Sequence, residues 1–68
     1  MTTQKVWSIT RWGKTWGVVS KTDKSDRTLY QAYGPGGEFP YAWANLSRAS
    51  DEATLAYQNR LDAAPDIG

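Results

Sequence analysis

Four tryptophans, four tyrosines and one phenylalanine fall in a chain of 68 residues that has neither cysteine nor histidine. That combination restricts the fold more than any other feature. A chain of this length buries only about 60% of the surface it exposes when unfolded. Chains so short usually rely on a disulfide, a metal or a partner. Without cysteine there is no disulfide and no thiolate zinc site. The chain offers ring mass instead: Trp7, Trp12, Trp16, Trp43, Tyr30, Tyr33, Tyr41, Tyr57 and Phe39. Each large ring can bury about 150–250 Å². One small core lacks the room for all of them. Most are expected inside, and two or three on the surface, where they mark contact with a partner or a second copy.

The same composition argues against catalysis. With no histidine, the commonest base near neutral pH is missing. The carboxylates Asp23, Asp26, Glu38, Asp51, Glu52, Asp62 and Asp66 are paired with Ser or Thr in no nucleophile motif. Asp23 and Asp26 share a turn but bring too few oxygens for an adequate calcium site. Gly34-Pro35-Gly36-Gly37 lacks the Lys-Ser/Thr that completes a phosphate loop. No enzyme activity, cofactor or metal is expected. No apolar run approaches ~18 residues, so no membrane span is expected. Met1-Thr2-Thr3-Gln4-Lys5 is followed by no apolar segment of the kind a secretory signal needs. The expected compartment is the cytoplasm, and the host cytoplasm if a phage encodes the chain.

Residues 5–22 read as a β-hairpin around Gly13-Lys14, with glycine suiting a type II′ turn. That turn sets Trp12 opposite Thr15, Ile9 opposite Val18 and Trp7 opposite Ser20. Alternation then puts Lys5, Trp7, Ile9, Arg11, Trp16, Val18 and Ser20 on one face, taken as the core face. Val6, Ser8, Thr10, Trp12, Thr15, Gly17, Val19 and Lys21 fall on the other. A one-residue bulge would exchange these roles. After the polar turn 23–26, a third strand spans 27–33, with Leu29, Gln31 and Tyr33 on one side and Thr28, Tyr30 and Ala32 on the other. Gly34–Gly37 breaks the pattern. Residues 41–46 fit a short helix after Pro40 or a fourth, edge strand, and the alternation of aromatics with alanines favours the strand. Ser50 reads as an N-cap, with Asp51 and Glu52 favourably placed in a first helical turn. The helix is expected over Asp51 to about Ala63. Its apolar stripe is Ala53, Ala56, Tyr57, Leu61 and Ala64, with Leu55 outside it. Pro65 stops it. The fold class is α+β: an antiparallel sheet of three to four strands with one C-terminal helix packed on one face. It forms a single domain, residues 1–68, with an ordered core of about 4–64 and a tail at 65–68.

Charge is divided along the chain. Residues 1–27 carry Lys5, Arg11, Lys14, Lys21, Lys24 and Arg27 against Asp23 and Asp26, a net +4. Residues 28–68 carry Arg48 and Arg60 against Glu38, Asp51, Glu52, Asp62 and Asp66, a net −3.

The order of short strand, Gly13-Lys14 turn, strand Thr15-Trp16-Gly17-Val18-Val19, third strand and helix led by Ser50-Asp51-Glu52-Ala53 resembles the arm-binding domain of phage tyrosine integrases. The likeness covers roughly residues 5–64. It implies a sheet that reads the DNA major groove. That family's sheet is normally more basic, and it does not require the aromatic stretch at 34–49. In general character the short, Trp-rich, cysteine-free chain is similar to small proteins of actinobacterial phages, many of which bind and redirect host proteins.

The leading expectation is a non-enzymatic protein–protein interaction module acting on a host or self surface. Trp12, Tyr33, Tyr41 and Trp43 are its candidate anchors, because Trp and Tyr dominate binding hot spots. Self-association would pair an open edge of the first or third strand across a two-fold to form a homodimer. The alternative is a small DNA-binding or recombination accessory protein, with Arg11, Lys14, Lys21, Lys24 and Arg27 on phosphates, Trp12 and Lys14 at the hairpin tip and Arg27 nearby. It ranks second because a dedicated nucleic-acid binder usually has an isoelectric point well above the 8.0 of this sequence.

Overall fold

A computed structural model describes residues 2–61, with the backbone alone for Pro40. Four strands form one antiparallel sheet in sequence order: β1 (Thr2–Arg11), β2 (Lys14–Thr22), β3 (Thr28–Gly34) and β4 (Gly37–Trp43). The helix α1 (Leu46–Gln58) lies across one face and packs chiefly on β2 and β3. This is the expected α+β architecture. The expected tail at 65–68 and the stripe position Ala64 lie outside the described residues.

The first hairpin turns one residue earlier than expected. Arg11 pairs with Lys14, so Trp12-Gly13 is the loop, replacing Gly13-Lys14. Both loop residues have positive φ, +55° at Trp12 and +73° at Gly13. That pattern belongs to a type I′ turn, whose twist matches that of the flanking strands. The pairs become Thr10 with Thr15, Ile9 with Trp16 and Trp7 with Val18. Relative to the expected register the strands slip by two residues. An even slip leaves each side chain on its face, so Trp7, Ile9, Trp16 and Val18 still share the core side. The new register sets apolar residues opposite apolar ones, where the expected one set Trp7 against Ser20. A bulge between Lys5 and Trp7 then shifts the pairing to Lys5 with Val19. Lys5 therefore leaves the core face on which it was expected.

Strand β3 keeps the expected sidedness. Ala32 pairs with Val18 and Tyr30 with Ser20 on the covered side, while Gln31 pairs with Val19 and Leu29 with Lys21 on the open side. The fourth strand exists but begins four residues before the expected 41–46 and ends at Trp43. Pro35 and Gly36 form the connecting turn, and Gly37 follows with φ +118°, a value L side chains rarely adopt. Pairing shifts between Gln31 and Tyr33, where β4 carries Pro40, a residue with no N–H to give a ladder.

Helix α1 starts five residues before Asp51. Its N-cap is Asn45, whose side chain accepts from the Arg48 backbone N–H at 3.3 Å. Ser50 is inside the helix and accepts a 3.0 Å hydrogen bond from Trp7 Nε1, tying the helix to β1. Asp51 and Glu52 are therefore not first-turn residues. The earlier start adds Ala49 to the stripe, and Ala49, Ala53 and Ala56 are fully buried. Methyl-sized side chains let the helix sit close to the sheet, where Trp16, Val18, Ala32 and Phe39 fill the space. Burying a Val- or Phe-sized side chain contributes about 1.5–3 kcal/mol. Leu55, off the stripe as expected, is exposed.

The helix stops at Gln58, five residues short of the expected Ala63, so Pro65 is not what ends it. Arg60 has φ +56°, its N–H donates to Tyr57 O at 3.1 Å, and the Leu61 N–H donates to Ala56 O at 2.8 Å. These two bonds define a Schellman ending, with Arg60 in the left-handed seat usually held by glycine. Leu61 packs against the core, and its carbonyl accepts from Trp16 Nε1 at 2.7 Å.

Candidate functional site

Two local endings, the β1–β2 turn and the end of α1, bring an exposed indole and a guanidinium together. Trp12 is 54% exposed, the most exposed large apolar side chain among the described residues. Its ring meets Trp16 edge-on, with centroids 6.2 Å apart and planes at 85°. The Arg60 guanidinium carbon lies 4.2 Å from the Trp12 ring centroid. Beneath them Trp16 packs on Tyr57 at 6.3 Å. A column results: buried Trp16 as its base, Trp12 above it, and Arg60 over the outer ring.

The energetics of this column do not favour it as a stabilising device. Both outer members occupy left-handed backbone seats, which cost a non-glycine residue about 1–2 kcal/mol each. Bulky side chains at positive φ are outliers, and Asn or Gly is preferred at both seats. An aromatic pair contributes about 0.5–1.5 kcal/mol. A cation–π contact at an exposed site contributes about 0.5–1 kcal/mol. The contacts offset the backbone strain at best. Stability alone gives no reason for Trp and Arg in these positions.

The other expected anchors are dispersed. Tyr41 is 41% exposed and lies against Trp43, with centroids 6.2 Å apart. Trp43 is half-buried and packs on the core. Both belong to the end of β4 nearest the helix start, away from the Trp12 turn. Tyr33 is half-buried on the open face, its ring lying over Gly17. Of the four candidates, Trp12 and Tyr41 are exposed, and the four do not form one patch. Arg60 was not singled out from the sequence; no glycine or proline marks that helix end, so nothing in the residue pattern announced it.

The basic residues are also divided. Arg11 and Lys14 flank the Trp12-Gly13 turn, and Arg11 donates to Thr10 O at 2.9 Å. Lys24 and Arg27 lie at the far end of β2, about 26 Å away along an extended strand. Arg27 is therefore not near Lys14, contrary to expectation. Lys21, on the open face, donates to Gln31 Oε1 at 2.8 Å and to Glu38 Oε2 at 2.7 Å. Gln31 in turn donates to Phe39 O at 2.6 Å. The open face thus carries a closed polar network that offsets its lysine charge.

The 23–26 turn is organised by Asp23. One carboxylate oxygen accepts from the Ser25 hydroxyl at 2.8 Å, the Ser25 N–H at 2.9 Å and the Arg27 N–H at 3.0 Å. The Ser25 hydroxyl first, and then the two backbone donors, hold the Asp23 carboxyl below its ordinary value of 3.8. A depressed folded pKa adds stability above pH 3.8 that is lost as pH falls through the folded value. Asp23→Ala is expected to be less stable than wild type above about pH 5, the gap narrowing below about pH 4 and closing at strongly acidic pH. Urea unfolding of both proteins across that range measures it. A gap independent of pH would show that the carboxylate charge is not what orders the turn.

Among the described residues, no group of three or more His, Cys, Asp and Glu side chains is placed to hold a metal, and no helix is long and apolar enough to cross a membrane. No protein-family model, curated protein or solved structure matches the chain.

Proposed function

We propose that the protein is a non-enzymatic interaction module that binds a protein surface through exposed aromatics, with Trp12 as the principal anchor. The observation that carries this reading is an indole displayed on a left-handed turn and braced by Arg60. A rigid, half-desolvated Trp beside an Arg has the composition of a binding hot spot. Bracing keeps the ring in one orientation, which reduces the side-chain entropy lost on binding. Tyr41 is a second, separate anchor.

The test compares wild type with Trp12→Asn as bait in lysate of the source cell. Asn-Gly is a preferred pair for this turn, so the variant keeps the hairpin. A protein retained by wild type and lost, by roughly tenfold or more, with Trp12→Asn is the expected result. Equal retention by both baits contradicts the reading. Duplex DNA is the competing ligand. A salt-sensitive mobility shift at ~50 mM salt, unaffected by Trp12→Asn, would replace the protein partner with nucleic acid.

A further inference from the structure

We propose that the outer edge of β1 accepts an extended acidic peptide segment as a fifth strand. The inference rests on the protein-interaction reading and specifies a second contact, with its partner chemistry.

Strand β1 has ten residues and no proline, and no described strand pairs with its outer side. The opposite edge, β4, has seven residues with Pro40 among them and a shifted register. Long edges without a strand neighbour are templates for added strands. In a two-residue hairpin the residues flanking the loop exchange both backbone bonds, and bonded and non-bonded pairs alternate from there. Arg11 and Lys14 flank the loop. Ser8 and Thr10 therefore direct their N–H and C=O groups outward. Arg11 donates its guanidinium to the Thr10 carbonyl, so an added strand displaces that bond and releases the cation toward its own acidic end.

The side chains along this edge define what fits. Trp7 and Ile9 are half-buried on the covered face, and Val6 at the bulge is 38% exposed. Apolar partner residues beside Trp7 and Ile9 would complete their burial. Lys5 and Arg11 bracket that stretch, and residues 1–22 contain no Asp or Glu. A second copy paired across a two-fold would bring two such carboxylate-free segments together, and like charges across strands are unfavourable. An acidic segment meets the same edge with opposite charge at both ends.

The experiment uses two peptides, Ac-ETVTVTE-NH2 and Ac-KTVTVTK-NH2, titrated into the full chain at ~50 mM salt and followed by NMR. In antiparallel pairing the first Glu meets Arg11 and the valines lie beside Ile9 and Trp7, while the bulge turns Lys5 to the opposite face, where it attracts the second Glu only across the strand end. The Glu peptide is expected to bind roughly tenfold or more tightly than the Lys peptide. Amide exchange should slow at Ser8 and Thr10 and stay unchanged at Ile9, which is bonded to Trp16. Methylating the peptide amides that face β1 should abolish binding, with no change to the protein. Equal affinity for both peptides, absence of binding, or protection elsewhere overturns the proposal. Protection of Ser8 and Thr10 that grows with protein concentration without peptide also overturns it, in favour of a second copy. Since Trp12 is untouched by these peptides, their failure leaves the outcome for the Trp12 anchor independent.

Discussion

Gly17→Ala is expected to cost about 3 kcal/mol, at the upper end for overpacking a core. Gly17 is buried in the middle of β2, between Ser8 of β1 and Tyr33 of β3. A Cβ there would collide with the Trp7 carbonyl oxygen, and would come within 2.6 Å of the Tyr33 hydroxyl and 2.8 Å of its ring carbon. The tyrosine can swing away, at the loss of its packing. The carbonyl belongs to the β1–β2 ladder and cannot move without breaking it. A domain of this length has a total stability of only about 3–10 kcal/mol. The single added methyl therefore removes a large share of it. Urea unfolding measures the loss. The double variant Gly17→Ala/Tyr33→Ala should be less destabilised than the sum of its parts, because one of the two obstacles is shared. Strict additivity would show that the ring does not lie on the glycine.

Trp16→Ala is the second large effect, at about 3–5 kcal/mol. Trp16 has no exposed surface, and it touches the tip ring Trp12, the helix residue Tyr57 and the carbonyl of Leu61. Its loss opens a cavity under both the hairpin tip and the helix end. The expected outcome is a chain with no cooperative unfolding transition and a flattened near-UV circular dichroism spectrum. Trp16→Phe separates ring volume from the polar contact. It keeps most of the packing and leaves the Leu61 carbonyl without its donor, at a cost of about 1–3 kcal/mol. A Trp16→Ala protein that still melts sharply would place the core elsewhere.

The core was largely legible in the residue pattern because β alternation is tolerant of error. Trp7, Ile9, Trp16 and Val18 stay on one face whether the loop is Gly13-Lys14 or Trp12-Gly13, since the difference is an even slip. What alternation does not specify is which pair of residues turns. A tryptophan at positive φ runs against turn preference, so the glycine-first reading was the ordinary one. The helix start was missed for a related reason. Ser50 followed by Asp51 and Glu52 has the chemistry of an N-terminus, but Asn45 has it too, and tertiary contact decides between them. Starting at Leu46 buries Ala49 and gives the Trp7 indole N–H an acceptor in Ser50.

For the site, ring number is half sufficient. It anticipated that some rings face outward, and Trp12 and Tyr41 do. It gave no means of separating them from Trp43, which packs on the core, or from Tyr33, which covers Gly17. Partial burial depends on neighbours brought together by the sheet. Arg60 depends on a helix ending that no glycine announces. Its contact with Trp12 joins residues from opposite ends of the chain.

Binding through Trp12 requires that its indole be displayed rather than needed for folding. The equilibrium unfolding free energy of Trp12→Asn tests this most directly. Relief of backbone strain offsets the lost ring contacts, so the variant should lie within about 1 kcal/mol of wild type. A loss of about 3 kcal/mol or more, the range of a core aromatic, would contradict it and make the indole part of the scaffold.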